Sequence, residues 1–173
     1  MHRTLITILL AALSLTAGPL AGKRVASFTL PDATGKYYDV LDFRGKVLLI
    51  DIMKTDCPHC QTLSKTIERI KAKYANRIAV LSIVNPPDNP QTVSAYIAKY
   101  KVTSPVLFDF GQATAAMLRI TPQNPGISLP TLLIVDANGI VREDLTYSES
   151  LKSIFEGDGL NALVDRALAP AKK

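Results

Sequence analysis

The sequence predicts an α/β fold whose sheet is partly parallel and partly antiparallel. Three observations predict it. Apolar runs of strand length alternate with amphipathic stretches of helical period, the last two strand candidates are joined by an Asn-Gly turn, and a helical stretch closes the chain. With 173 residues, 47% of them hydrophobic and 20% charged, the chain has the size and composition of one globular domain.

The first element is a targeting segment. His2-Arg3 precede an apolar run from Leu5 to Leu15, and small or turn-forming residues follow around Ala17-Gly18-Pro19 and Ala21-Gly22. This is the order of a basic region, an apolar region and a processing zone. The run is short for a membrane helix, which needs about 20 residues. Residues 1–22 are expected to be a signal peptide or an uncleaved N-terminal anchor, and residues 23–173 the folded domain. Export is expected, to the periplasm or to a membrane-anchored position facing it.

Val25 to Gly45 mixes short apolar stretches with the turn signals Pro31-Asp32 and Thr34-Gly35, and reads as a strand or hairpin. Lys46 to Met53 carries Val47-Leu48-Leu49-Ile50, a continuous apolar run of the kind found in strands buried on both faces. After Cys57 the period becomes helical, with Leu63, Ile67, Ile70 and Tyr74 on one face. Ile78 to Val84 is the next strand. Val93, Tyr96, Ile97 and Tyr100 mark a second helix, Pro105 to Phe108 a third buried strand, and Ala113 to Leu118 a short helix. The breaker-rich loop Thr121 to Gly126 leads to a strand at Thr131 to Val135. Asn138-Gly139 then turns the chain back into Ile140-Val141. Leu160, Leu163, Val164 and Leu168 define the closing helix.

The chemistry is concentrated in Cys57-Pro58-His59-Cys60. Two cysteines in an exported chain usually suggest a structural bridge. A bridge across two intervening residues restrains the unfolded chain little, so this spacing suits redox chemistry better. Placed after a buried strand, Cys57 falls at a helix N-terminus, where unpaired N–H groups and the helix dipole stabilise a thiolate. Cys60, one turn on, is placed to attack a mixed disulfide and release the substrate. Pro58 suits the first helical position. A protonated His59 would stabilise the Cys57 thiolate and make the disulfide more oxidising, whereas the carboxylate of Asp56 acts in the opposite direction.

Other classes fit less well. A net charge of +5 could suggest nucleic acid, but Lys and Arg are scattered, no basic stripe interleaves with aromatics, and Trp is absent. Tetrahedral zinc needs four ligands. The chain offers two cysteines and two histidines, one of which, His2, lies in the export segment. No metal and no cofactor are expected.

These residues resemble the thioredoxin superfamily, and within it the exported TlpA/ResA-like branch. Val47 to Ile52 followed by Cys57-Pro58-His59-Cys60 is similar to that family's strand and active-site helix. Asp51, six residues before Cys57, matches its buried acid, and Leu129-Pro130-Thr131 through Asn138-Gly139 resembles the segment that carries its cis-proline. Pro86 to Tyr100 is similar to the helix that TlpA-like members insert. The resemblance implies a thioredoxin-like mixed sheet flanked by helices, with an N-terminal strand or hairpin extension and a central helical insertion. It also implies a cis Pro130 beside Cys57, with Leu129 and Pro130 offering a backbone edge to substrate, and an Asp51 that exchanges protons with Cys60. The implied partners are protein dithiols or disulfides and a membrane or soluble redox partner. The sequence departs from many relatives in having Asp56, not Trp, before the first cysteine.

The function implied is reduction or exchange of disulfides in extracytoplasmic proteins, cytochrome maturation factors included. A net oxidase like DsbA, which shares the central Pro-His pair, is the nearest alternative. A thiol peroxidase would require Thr three residues before its cysteine; that position is Lys54, with Thr55 one residue out of place. A copper chaperone would use the thiolates for Cu(I) but usually adds a distant His, which this chain lacks after His59.

Overall fold

The structure is a computed structural model and describes residues 18–169. Most of the expected export segment lies outside the described residues. Where the description begins, the chain docks on the sheet: Leu20 is buried, its N–H donates to Asp144 Oδ2 at 3.1 Å, and the Gly22 N–H donates to Val141 O at 2.8 Å.

A small antiparallel hairpin, Thr29–Pro31 (β1) with Tyr37–Asp39 (β2), precedes the main sheet. That sheet contains Val47–Met53 (β3), Ile78–Val84 (β4), Val106–Phe108 (β5), Thr131–Val135 (β6) and Val141–Thr146 (β7). Its order is β5-β4-β3-β6-β7. β3, β4 and β5 run parallel, and β6 and β7 return antiparallel. Every residue of β3 and β6 is buried, whereas the edge strand β7 alternates, with Val141, Glu143 and Leu145 inward. Strands covered on both faces need continuous apolar runs, and an edge strand with one wet face does not. The composition of each strand follows from its place.

The helices are Pro58–Tyr74 (α1), Pro90–Tyr100 (α2), Gln112–Leu118 (α3), Lys152–Glu156 (α4) and Gly159–Leu168 (α5). On one face of the sheet, Leu63, Ile67, Ile70 and Tyr74 of α1 and Leu160, Leu163 and Val164 of α5 pack against Val47, Leu49, Leu132 and Ile134. On the other, Phe28, Val40 and Met117 cover Leu48, Ile50, Ile52, Leu81 and Ile83. This is the expected mixed sheet flanked by helices, with the hairpin before it and α2 inserted between β4 and β5.

The helix N-terminus of α2 is built from side chains. Asn89 Oδ1 accepts from the N–H groups of Gln91 at 3.0 Å and Thr92 at 3.2 Å, and Thr92 Oγ1 accepts from the Asn89 N–H at 3.0 Å. Asn89→Ala is expected to cost about 1 kcal/mol, the usual worth of such a cap. Urea unfolding would read it, and an unchanged midpoint would mean that packing alone holds α2.

One element was not expected. Ser148 to Glu156 forms a 3-10 turn, Glu149–Leu151, and then α4. Five helical residues are too few to display a period, and Gly157 and Gly159 just beyond read as loop. Burial of Ile154 and Phe155 against the α1 face holds this segment, and propensity does not.

Candidate active site

Alternation along β3 determines what lies under α1. Val47, Leu49, Asp51 and Met53 share one face, because successive strand side chains point to opposite sides. Val47 and Leu49 join the α1 core, and Met53 packs with Cys60. Asp51 is thus a carboxyl fixed at the centre of the sheet, beneath the first turn of α1. It is completely buried, and neither oxygen has a hydrogen-bond partner among the described residues. Burial pushes its pKa from 3.8 up to about 7; Ser82, facing it from β4, opposes the rise only in part.

β3 ends at Met53, and a turn through Lys54-Thr55-Asp56 brings Cys57 to the N-cap of α1. Cys57 has extended backbone angles (φ −82°, ψ 117°), and its Sγ accepts from the Cys60 N–H at 3.3 Å. A sulfur in this position takes up one of the orphan amides of the helix, the arrangement that favours an anion there. Pro58 occupies the first helical position, where its missing N–H costs nothing. Cys57 is half-buried and Cys60 fully buried; both are free thiols. Burial, with Cys57 and Asp51 adding to it, pushes the Cys60 thiol well up. The pair is therefore asymmetric, with an outer sulfur that meets solvent and an inner one that does not.

The turn before the motif is tied down. The Thr55 N–H donates to Asp88 Oδ2 at 3.1 Å, the Thr55 hydroxyl bonds the same carboxylate, and Gln61 Nε2 donates to Thr55 O at 2.8 Å. Asp56 is exposed, where water screens its charge.

The proline turn comes to the cluster on which the cysteines pack. The Leu129-Pro130 peptide is cis, and a second cis bond, Pro86-Pro87, was not expected. Leu129 and Cys57 pack on the same small cluster of Met53, Cys60, Val84, Val93, Tyr96 and Val106. Pro130 is buried at the start of β6, and its carbonyl accepts from the Tyr147 N–H at 3.1 Å. Leu129 and Cys57, 72 positions apart in the chain, thus converge on one cluster, since β6 pairs directly with β3.

His59 does not stand free between the sulfurs. Its ring stacks on Tyr147, with centroids 3.7 Å apart and planes at 21°, and its Nδ1 lies 3.2 Å from Glu156 Oε1. Behind Cys60, the Ser64 hydroxyl donates to Cys60 O at 3.1 Å and bonds Tyr96, whose hydroxyl also reaches Cys60 O at 3.4 Å. Tyr147, Glu156, Ser64, Tyr96 and Asp88 all escaped the sequence reading. Sequence spacing marks Tyr96 only as an apolar-face residue of its helix, and nothing in it links His59 to a carboxylate 97 residues away.

Among the described residues no group of three His, Cys, Asp or Glu side chains is placed to hold a metal ion, and no helix is long and apolar enough to cross a membrane.

The family model described as "AhpC/TSA family" matches residues 21–144. Among curated relatives, the chain is 24% identical over 119 residues to the thiol-disulfide oxidoreductase ResA of Halalkalibacterium halodurans, which covers 69% of this chain and 64% of that protein. The chain thus spans a little under two thirds of that relative's length. It is also 24% identical over 136 residues to ResA of Bacillus thuringiensis, covering 79% and 75% of the two chains. Among solved structures, a thiol:disulfide interchange protein of the thioredoxin family from Chlorobium tepidum superimposes with a TM-score of 0.69 at 19% identity, over 84% of this chain and 96% of that one. That likeness identifies the fold as thioredoxin-like.

Proposed function

We propose that this chain, which belongs to the AhpC/TSA family, is an exported thiol–disulfide oxidoreductase that reduces or exchanges disulfides in extracytoplasmic proteins, cytochrome maturation factors among them. The observation that carries the reading is the asymmetry of the sulfur pair. Cys57 caps α1 at the surface, and Cys60 lies buried one turn in, above Asp51. The names of the ResA relatives support the reaction class, and the basic-apolar segment His2 to Leu15 supports export.

In the proposed cycle the Cys57 thiolate attacks one sulfur of a substrate disulfide, and the other sulfur leaves as a thiolate. Cys60 then gives up its proton, with Asp51 the buried base at hand, and attacks Cys57 Sγ. The second substrate thiolate departs, and two electrons have passed from the pair to the substrate. Leu129 and Pro130 would present backbone to the substrate segment as it lies over Cys57. An external dithiol, carried by a membrane or soluble partner, restores the pair.

Insulin reduction by dithiothreitol tests the reading. The protein is expected to shorten the onset of precipitation at substoichiometric amounts. A rate equal to that of dithiothreitol alone would refute it. The peroxidatic reading predicts dithiol-dependent peroxide consumption. Lys54 at the position where such sites place Thr argues against it, and the same preparation assayed with peroxide decides the point.

A further inference from the structure

The histidine of the motif is held by residues that the exchange chemistry itself does not require. A carboxylate only accepts, so His59 Nδ1 carries the proton it shares with Glu156 Oε1 at 3.2 Å. The same oxygen accepts from the Tyr147 hydroxyl at 3.1 Å, and Lys152 Nζ lies 3.9 Å from the other oxygen. The Tyr147 hydroxyl also reaches Glu149 at 3.1 Å. Partial burial and these two carboxylates push its pKa up to about 12, so it stays a donor. The Tyr147 ring lies between His59 and Phe155, its edge contact to Phe155 at 5.5 Å, and its N–H is fixed on the Pro130 carbonyl. The imidazole is thus clamped by α4 and by the end of β7, on the side where the proline turn enters.

We propose that Glu156 and Tyr147 are positioning residues that hold and neutralise His59, so that this Cys-Pro-His-Cys pair is a weaker oxidant than the motif alone would make it. The inference rests on the reading of the site as a thiol–disulfide couple. Its electrostatics are simple. Reduction of the disulfide takes up two electrons and frees two sulfurs, of which Cys57, at the helix N-terminus, is the one placed to carry negative charge. A lone imidazolium two residues along the chain stabilises such a charge, and so favours the reduced form. An imidazolium paired with a carboxylate presents a dipole, whose field falls off faster than that of a single charge. Helix α4 therefore biases the pair toward giving electrons away, the direction in which a reductase works and a net oxidase does not.

Equilibration with glutathione at about pH 5.5, where an ordinary histidine is protonated with or without a carboxylate beside it, tests this on the full chain, with Glu156→Gln, Tyr147→Phe, His59→Ala and the double variant His59→Ala/Glu156→Gln. Glu156→Gln keeps the shape and removes the charge. It is expected to shift the equilibrium toward the dithiol about tenfold, or ~30 mV for a two-electron couple. Tyr147→Phe keeps the stack and loses the hydroxyl, and should shift it severalfold in the same direction. In the His59→Ala background the Glu156→Gln shift should vanish. A Glu156→Gln equilibrium within twofold of the parent, or an undiminished shift without His59, would overturn the proposal. Tyr147→Phe carries the test if Glu156→Gln fails to fold. A parent protein that does not titrate as a two-electron couple would instead remove the reading of the site on which this inference stands.

Discussion

Cys57→Ser is expected to abolish disulfide exchange, whereas Cys60→Ser is expected to complete the first attack and stop there. The asymmetry of the pair dictates the difference. Cys57 is the sulfur that solvent reaches, and it sits on the helix amide of Cys60. Serine at that position offers an alcohol that does not ionise near neutral pH and forms no bond to a disulfide sulfur. Cys60 is fully buried, and burial holds its thiol protonated, so an incoming substrate disulfide cannot reach it. Its one accessible target is Cys57 Sγ, one turn away, once that atom is part of a mixed disulfide. Removing Cys60 leaves the mixed disulfide without an internal exit. Mass spectrometry of Cys60→Ser after mixing with an oxidised peptide should show the adduct mass at near-stoichiometric yield, and Cys57→Ser should show none. Equal trapping by both variants would mean that the two sulfurs are exchangeable and that the depth of Cys60 plays no part.

What the sequence disclosed and what it hid divide along physical lines. The strands β3, β4 and β6 were legible to within a residue because burial on both faces demands uninterrupted apolar runs, and few other environments do. The sulfur pair was legible because its chemistry depends on local spacing and on a helix start. Asp51 was legible as an acid in an apolar run, and its depth follows from alternation along one strand. The clamp on His59 was not legible. It depends on α4, five residues long, which exists because Ile154 and Phe155 find the α1 core. It also depends on β7 delivering Tyr147 beside the proline turn. The polar contacts of Ser64 and Tyr96 behind Cys60 were hidden for a related reason. A tyrosine on the apolar stripe of a helix looks the same whether its hydroxyl finds a partner or points past the core, and here the packing of α2 against α1 supplies one.

Asp51→Asn is expected to have two large effects of opposite benefit. The first is on stability. The unfolded chain releases the Asp51 proton near pH 3.8, and the folded chain keeps it to about pH 7. Between those values the folded state binds more protons, so raising the pH destabilises the fold. The stability contributed by the neutral acid is fully present below pH 3.8 and is lost as pH rises through about 7. From 3.8 to about 7, at 1.36 kcal/mol per pH unit, the loss is roughly 4 kcal/mol. Urea unfolding of the reduced protein between about pH 4 and pH 8 should show this fall in the parent and not in Asp51→Asn, which has no proton to lose. The second effect is on rate. An asparagine cannot take the Cys60 proton, and losing a positioned base costs on the order of a hundredfold in the release step. Removing the Asp51 charge also relieves a repulsion on the Cys60 thiolate. That charge is a smaller cause of the raised Cys60 pKa than burial is, and burial stays, so loss of the base dominates. Single-turnover release of a peptide dithiol from the mixed disulfide should therefore slow in the variant near neutral pH. The deficit should narrow as the solution becomes alkaline and hydroxide does the work. A variant that is both as pH-sensitive in stability as the parent and as fast would show that the carboxyl neither holds the extra proton of the folded state nor serves as the base for Cys60.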